Sequence, residues 1–246
     1  MRNLLLSLIY ALILIPIPSL YSADYTCNSG TYTAKNCDNG TLSNGDTITS
    51  AAGASITPAA NTYFFHAENS STTYTNNADI TDLRYNFFLQ NGNITGTSLT
   101  NTATIDIATN SGALLIDRGA VMDTFNNSGT ITTKTGLGFR IAGSDMMMGG
   151  DGGKISNFIN TGTFNKDIAR AEHISLNQND SGMGDEVAKI TNMSNSQGGS
   201  NALIIYGGMP DNYNIIIDSS SSYGKLEIIS NSGTSMDFDI DATRSI

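Results

Sequence analysis

The acidic residues are the first place to look for chemistry, since 22 of the 246 residues are Asp or Glu and only two are His. Asp237, Asp239 and Asp241 fall on alternate positions, which on a β-strand sends all three carboxylates to one face. Like charges so placed repel, and a bound Ca²⁺ would relieve them. The plainer reading, and the expectation here, is a solvated outer face near the chain end. Beyond that calcium candidate no metal, cofactor or catalytic residue is expected. Asp145 and Asp151 flank Met146-Met147-Met148, and acids recur with arginines at Asp117-Arg118 and Arg140. Paired carboxylates on a β-helical surface would suit a polysaccharide hydrolase or lyase, yet nothing in the sequence fixes the distances between these groups.

Other signatures fail on spacing. Gly149–Lys154 invites a phosphate-loop reading, but Met148 and Ile155 stand where that motif needs a glycine and a hydroxyl residue. The segment reads instead as a loop projecting from the fold. A calcium-binding nonapeptide roll needs tandem copies, and the glycine cluster occurs once. His66 follows Tyr63-Phe64-Phe65 and precedes Glu68, and His173 follows Glu172; each reads as an ordinary exposed or half-buried residue rather than a base. No Gly-x-Ser-x-Gly elbow supports serine-based hydrolysis. The aromatic runs Tyr63–Phe65 and Tyr85–Phe88 suit a first-coil core, with a sticky receptor-facing patch as the alternative.

The chain opens with the pattern of an export signal: Arg2 alone before Asp24, an apolar run from Leu4 to Pro18, then small Ser22 and Ala23 as cleavage sites. A retained anchor is the competing reading, disfavoured by the short run and by Pro16 and Pro18. Cys27 lacks the small residues that precede a lipoprotein cysteine. The formal charge of −10 argues against nucleic acid or anionic membrane as a partner. Charged residues make up only 14%, so Asn, Thr, Ser and Gly must supply the polar surface, and these suit turns and strand faces. In an exported protein Cys27 and Cys37 are expected to pair, pinning an N-terminal hairpin in which Tyr25–Thr33 folds back on Cys37. Two free thiols or half of a metal site are the alternatives.

Short apolar runs separated by polar turns predict an all-β chain, with one short helical excursion entertained at Lys166–His173. Two phrases match closely: Met122–Ile131 and Ile155–Phe164 each place Asn, a hydroxyl residue and Gly before Thr and an apolar residue. Asn127, Asn160, Asn195 and Asn231 are separated by 33, 35 and 36 positions (160 − 127, 195 − 160, 231 − 195), and Asn110 precedes Asn127 by 17 (127 − 110). Recurrence of this kind points to stacked coils, in which equivalent asparagines bond in a ladder and Ile131 and Phe164 enter a shared core. The uneven intervals fit coils with loops of unequal length, or two coils per long interval. The expected fold is a right-handed parallel β-helix with an N-terminal disulfide hairpin or cap. The alternative is an antiparallel β-sandwich built of Asn-Gly hairpins.

The signal peptide followed by repeats such as Phe125–Ile131 and Phe158–Phe164 resembles the passenger region of type V autotransporters. The likeness is greatest to the asparagine-rich passengers of Helicobacter- and Campylobacter-type bacteria, over roughly 92–240. The resemblance implies a β-helix displayed on, or released from, the outer membrane of a Gram-negative bacterium, without shared catalytic residues. Such passengers precede a translocator barrel; none is read before Ile246, so a truncated product or fragment without independent activity stands as one expectation. The chain divides into 1–22 as signal peptide, 23–91 as cap and first strands, and 92–246 as passenger-like repeats. The expected role is a non-enzymatic adhesion or host-interaction scaffold that takes a host-cell surface protein, a glycan or a second copy of itself as partner, and binds no nucleic acid. A secreted β-helical polysaccharide hydrolase or lyase is the alternative.

Overall fold

A computed structural model describes residues 22–58, 63–81, 85–90, 94–107, 114–117, 119–133, 139–142, 152–166, 173–176, 188–229 and 236–246. Residues 1–21, all but the last of the segment expected to be an export signal, lie outside them. So do Asn110, Arg118, Asp145, Asp151, Met146–Met148, Asn231 and 167–172 of the entertained helical excursion.

The strands are short, and many bury only one or two apolar residues. Thr47–Ser50 (Thr-Ile-Thr-Ser) alternates half-buried and buried positions, and β-branched residues on both faces suit an extended backbone. A strand burying a single isoleucine cannot stand alone, so the chain stacks its strands coil upon coil. Three parallel sheets result, of nine, six and seven strands. The first runs from Asp24–Cys27 through Thr47–Ser50, Thr73–Asn76, Thr97–Asn101, Val121–Asn127, Lys154–Asn160, Lys189–Asn195 and Asn212–Ile215 to Asp237–Ile240. The second runs from Gly30–Tyr32 to Thr163–Lys166, and the third from Tyr63–Ala67 to Leu226–Ile229. From Thr47–Ser50 to Ile174–Leu176 successive strands visit the first, second and third sheets in turn, which is a parallel β-helix. The β-sandwich is thereby excluded. Antiparallel pairing is confined, among the described residues, to Ile217–Ser219 with Ser222–Tyr223 and a bridge between Gly198 and Gly224.

Register places like on like. In the first sheet Ile48 stacks on Tyr74, Tyr74 on Leu99, Leu99 on Phe125, Phe125 on Phe158 and Phe158 on Met193. Ile131 stacks on Phe164 in the second sheet, both fully buried, so the shared core expected for these two residues is present. Phe125 also meets Phe139 of the third sheet edge-on at 4.7 Å and Phe158 at 4.9 Å. Each such ring removed from water contributes on the order of 2–3 kcal/mol.

Inside the corner between the first and second sheets runs a ladder of buried carboxamides. Asn76 donates to Asn101 at 2.8 Å, Asn101 to Asn127 at 2.8 Å, Asn127 to Asn160 at 2.9 Å and Asn160 to Asn195 at 2.8 Å. Ser50 caps one end by donating to Asn76 (2.9 Å), and Asn195 ends the other by donating to the Tyr213 hydroxyl (3.1 Å). All five asparagines are fully buried. Each of Asn76, Asn101, Asn127 and Asn195 also donates to the carbonyl two residues ahead, which turns the corner. The rungs are 25, 26, 33 and 35 residues apart, so each interval is one coil and the excess lies in loops. The partner of Asn127 on its other side is Asn101, not Asn110.

At the other end of the fold Cys27 and Cys37 are disulfide-bonded with Cα atoms 5.7 Å apart. The strands Asp24–Cys27 and Gly30–Tyr32 pair with the coil above them rather than with each other, so the disulfide closes a first coil. A left-handed turn at Asn36, Cys37 and Asp38 follows. There the Asn36 side chain exchanges hydrogen bonds with the His66 backbone at 2.9 and 3.1 Å. The same sheets continue across residues 91 and 92, since Thr73–Asn76 pairs with Thr97–Asn101 and Tyr85–Gln90 with Leu114–Asp117.

Candidate binding surface

Alternation along the first sheet leaves two outward ranks. One holds Thr47, Thr73, Ser98, Thr124, Asn157, Asn192, Asn212 and Asp237, and the other Thr49, Thr75, Thr100, Asn126, Ile159, Ser194, Asn214 and Asp239. Composition drifts from hydroxyl through carboxamide to carboxylate along the axis. In the middle stretch the amides bond to one another: Asn192 donates to Asn157 at 3.3 Å, Asn212 donates to Asn192 at 3.0 Å, and Asn157 donates to the Asp123 carbonyl at 3.3 Å.

After Ile240 the chain leaves the last strand in a pinned turn that folds back over this face. The Asp241 N–H donates to the Ile215 carbonyl at 2.9 Å, and the Ser245 and Arg244 N–H groups donate to the Asp241 carbonyl at 2.9 and 3.1 Å. The Asp241 carboxylate accepts from the Thr243 hydroxyl at 2.6 Å and from Arg244 Nη1 at 2.7 Å. Burial alone would raise the Asp241 pKa, but hydrogen bonds from Thr243, Ser194 and Arg244, with the guanidinium charge, hold it down at about 2. Ser194 points outward by alternation yet is only 6% exposed, because this turn covers it. Between the overhang and the face lies an open cleft of about 530 Å³, lined by Asn157, Asn192 and Asn214, by Thr124 and Arg244, and by apolar Ile159 and Ile240. A second hollow of about 600 Å³ follows the outside of the corner from Gly53 to Thr163, banked by Asn77, Thr102, Ser128 and Thr161 on one side and Asp79, Thr104, Thr130 and Thr163 on the other.

The residues singled out in the sequence scatter over this frame. Asp237 and Asp239 share the exposed outer face of the last strand, whereas Asp241 lies past its end and is committed to Thr243, Ser194 and Arg244. Among the described residues no three His, Cys, Asp or Glu side chains gather in a metal-binding group. Arg140 is in the third sheet, between Leu115 and Ser175 of the flanking strands, and Asp117 ends the strand on one side of it. His66 is on the third sheet beside Glu68 and Lys35; burial, and then the Lys35 charge, lower its pKa against the pull of Glu68. Glu68 is ion-paired with Lys35 and accepts from Thr41 at 2.9 Å.

His173 is 1% exposed and accepts the Ile204 N–H at Nδ1 (3.1 Å), while its buried Nε2 has no hydrogen-bond partner among the described residues. Burial first, then Lys166, lowers its pKa to about 4. It is a neutral core residue rather than the exposed or half-buried one expected.

Sequence reading missed Ser194, Arg244 and the Asn157–Asn192–Asn212 rank. The signal available for that rank was an Asn three positions before a ladder asparagine: Asn157 precedes Asn160, and Asn192 precedes Asn195. Arg244 gave no signal, since a turn that doubles back is not written in strand alternation. In comparisons with known proteins, no family model, no curated protein and no solved structure matches this chain.

Proposed function

We propose that the protein is an exported, non-enzymatic binding scaffold, passenger-like in type, that presents the outer face of its first sheet to a surface outside the bacterium. The observation that carries this reading is the pair of outward ranks along the first sheet, which are hydroxyl and carboxamide side chains from Thr47 and Thr49 to Asn212 and Asn214, broken only by Ile159. Such a face offers many weak, repeated hydrogen-bonding positions, and repeated positions bind a polymeric or multivalent partner by avidity. The export pattern at the start of the chain and the likeness to asparagine-rich autotransporter passengers support placement at the cell surface, outer membrane or extracellular space of a Gram-negative bacterium. The partner is then a host-cell surface protein or glycan, or another copy.

The test is binding of the purified exported chain to epithelial cells and to immobilised glycans, run beside assays for polysaccharide breakdown. Saturable binding without release of reducing or unsaturated ends is expected. Turnover of any polysaccharide, or absence of binding to every surface, would overturn the reading.

A further inference from the structure

The cleft beneath the Asp241–Arg244 turn is built for one chemistry. Its walls carry amides already held in place: Asn157 and Asn192 each spend one N–H on a neighbouring oxygen and both line the cleft, so each keeps a second N–H to donate. Asn214 makes no side-chain hydrogen bond among the described residues and lines the same cleft. A planar carboxamide offers a donor and an acceptor side by side, the pairing that adjacent hydroxyls satisfy. Ile159 and the 53% exposed Ile240 add apolar surface next to these amides, which suits the C–H face of a sugar ring.

Charge selects further. The one cation in the lining, Arg244, is paired with Asp241 at 2.7 Å. Asp237 and Asp239 stand exposed on the same face, and the whole chain carries −10. An anionic ligand therefore meets no uncompensated positive charge and several negative ones. We propose that this cleft binds a short neutral oligosaccharide of hexose or N-acetylhexosamine units, roughly two or three rings for a pocket of this size. Holding the amides before the ligand arrives lowers the ordering cost of binding. This assignment rests on the scaffold reading above and names the ligand for one part of that face.

The experiment titrates the full exported chain with neutral oligosaccharides and with sialylated or sulfated counterparts, following binding by calorimetry. Neutral glycans are expected to bind and the acidic ones to bind at least tenfold more weakly. Asn157→Ala with Asn214→Ala, both outward and outside the core ladder, is expected to weaken neutral-glycan binding at least tenfold with an unchanged melting temperature. Thr132→Ala, outward on the second sheet and away from both the cleft lining and the proposed face, is expected to bind as the parent does. The assignment is overturned if the double variant binds like the parent, or if acidic glycans bind as well as neutral ones. It is also overturned if the parent adheres to cells but binds no neutral oligosaccharide, a result that leaves the scaffold reading standing. Absence of adhesion to any surface would instead remove the scaffold reading itself.

Discussion

Asn127 donates from Nδ2 to Oδ1 of Asn160 at 2.9 Å, across one coil of 33 residues and wholly out of water. The same Asn127 amide donates to the Gly129 carbonyl, and its oxygen receives Asn101. Every polar atom of the side chain is thus used, which is what permits an amide in the core. Asn127→Leu would leave the Asn101 donor and the Asn160 acceptor buried without partners, at about 1–3 kcal/mol each. The expected outcome is a loss of about 2–5 kcal/mol and a melting temperature lower by roughly 5–15 °C. Asn126→Leu, one residue away on the outer face, is expected to move it by far less. Equal effects would mean that the ladder contributes nothing beyond its volume.

Gly162 sits where the corner of one coil meets the next. A Cβ there would lie 2.1 Å from the Gly129 carbonyl oxygen, and one at Gly129 would lie 2.2 Å from that of Ala103. The contact is with backbone that is itself held by bonds from Asn127 and Thr163, so it cannot yield as a side-chain tip would. Gly162→Ala is expected to destabilise the protein by more than the ~0.5–1 kcal/mol typical of unstrained backbone changes. Thermal unfolding checks this, with exposed Thr161→Ala as the comparison.

These two sites show why part of the fold was readable. Asn127-Ser128-Gly129 and Asn160-Thr161-Gly162 stand out because they repeat one phrase, each followed by Thr and an apolar residue. Asn76-Asn77-Ala78 and Asn101-Thr102-Ala103 do the same work with alanine, since the ladder needs only the carbonyl two residues on, and so they did not stand out. Spacing misled as well: loop lengths vary, so the coil period drifts from 25 to 35 residues, and only the register of the strands reveals one asparagine per coil. The candidate cleft was less legible still. Alternation puts Ser194 on the outer face and Asp241 beside Asp239, and only the backbone turn after Ile240 buries the first and redirects the second.

The disulfide is expected to matter at one end only. Cys27 and Cys37 are ten residues apart, and a loop of that size constrains the unfolded chain by about 2.5–3 kcal/mol in the chain-entropy account. In a solenoid each coil contacts its neighbours, so loss of the bond should fray the first coils before the rest. Cys27→Ser with Cys37→Ser is expected to raise hydrogen exchange in Asp24–Cys27 and Thr47–Ser50 first. Uniform acceleration through Lys189–Asn195 would contradict this.

Acid should act through His173 well before it reaches Asp241. The His173 pKa is lowered from 6.5 to about 4, chiefly by burial and secondarily by Lys166. A depressed histidine binds its proton more tightly in the unfolded chain, so its contribution is fully present above pH 6.5 and is lost as pH falls from there towards 4. The loss amounts to at most about 3 kcal/mol. Asp241 is depressed from 3.8 to about 2, and its contribution persists above 3.8 and fades only between there and 2. Stability measured by denaturant unfolding should therefore fall in a first step between pH 6.5 and 4 and in a second below 3.8. His173→Phe, which keeps a ring in the core without a titrating nitrogen, should flatten the first step and leave the second. Asp241→Asn should do the reverse. If His173→Phe leaves the step above pH 4 intact, the buried imidazole is not the group that senses the acid.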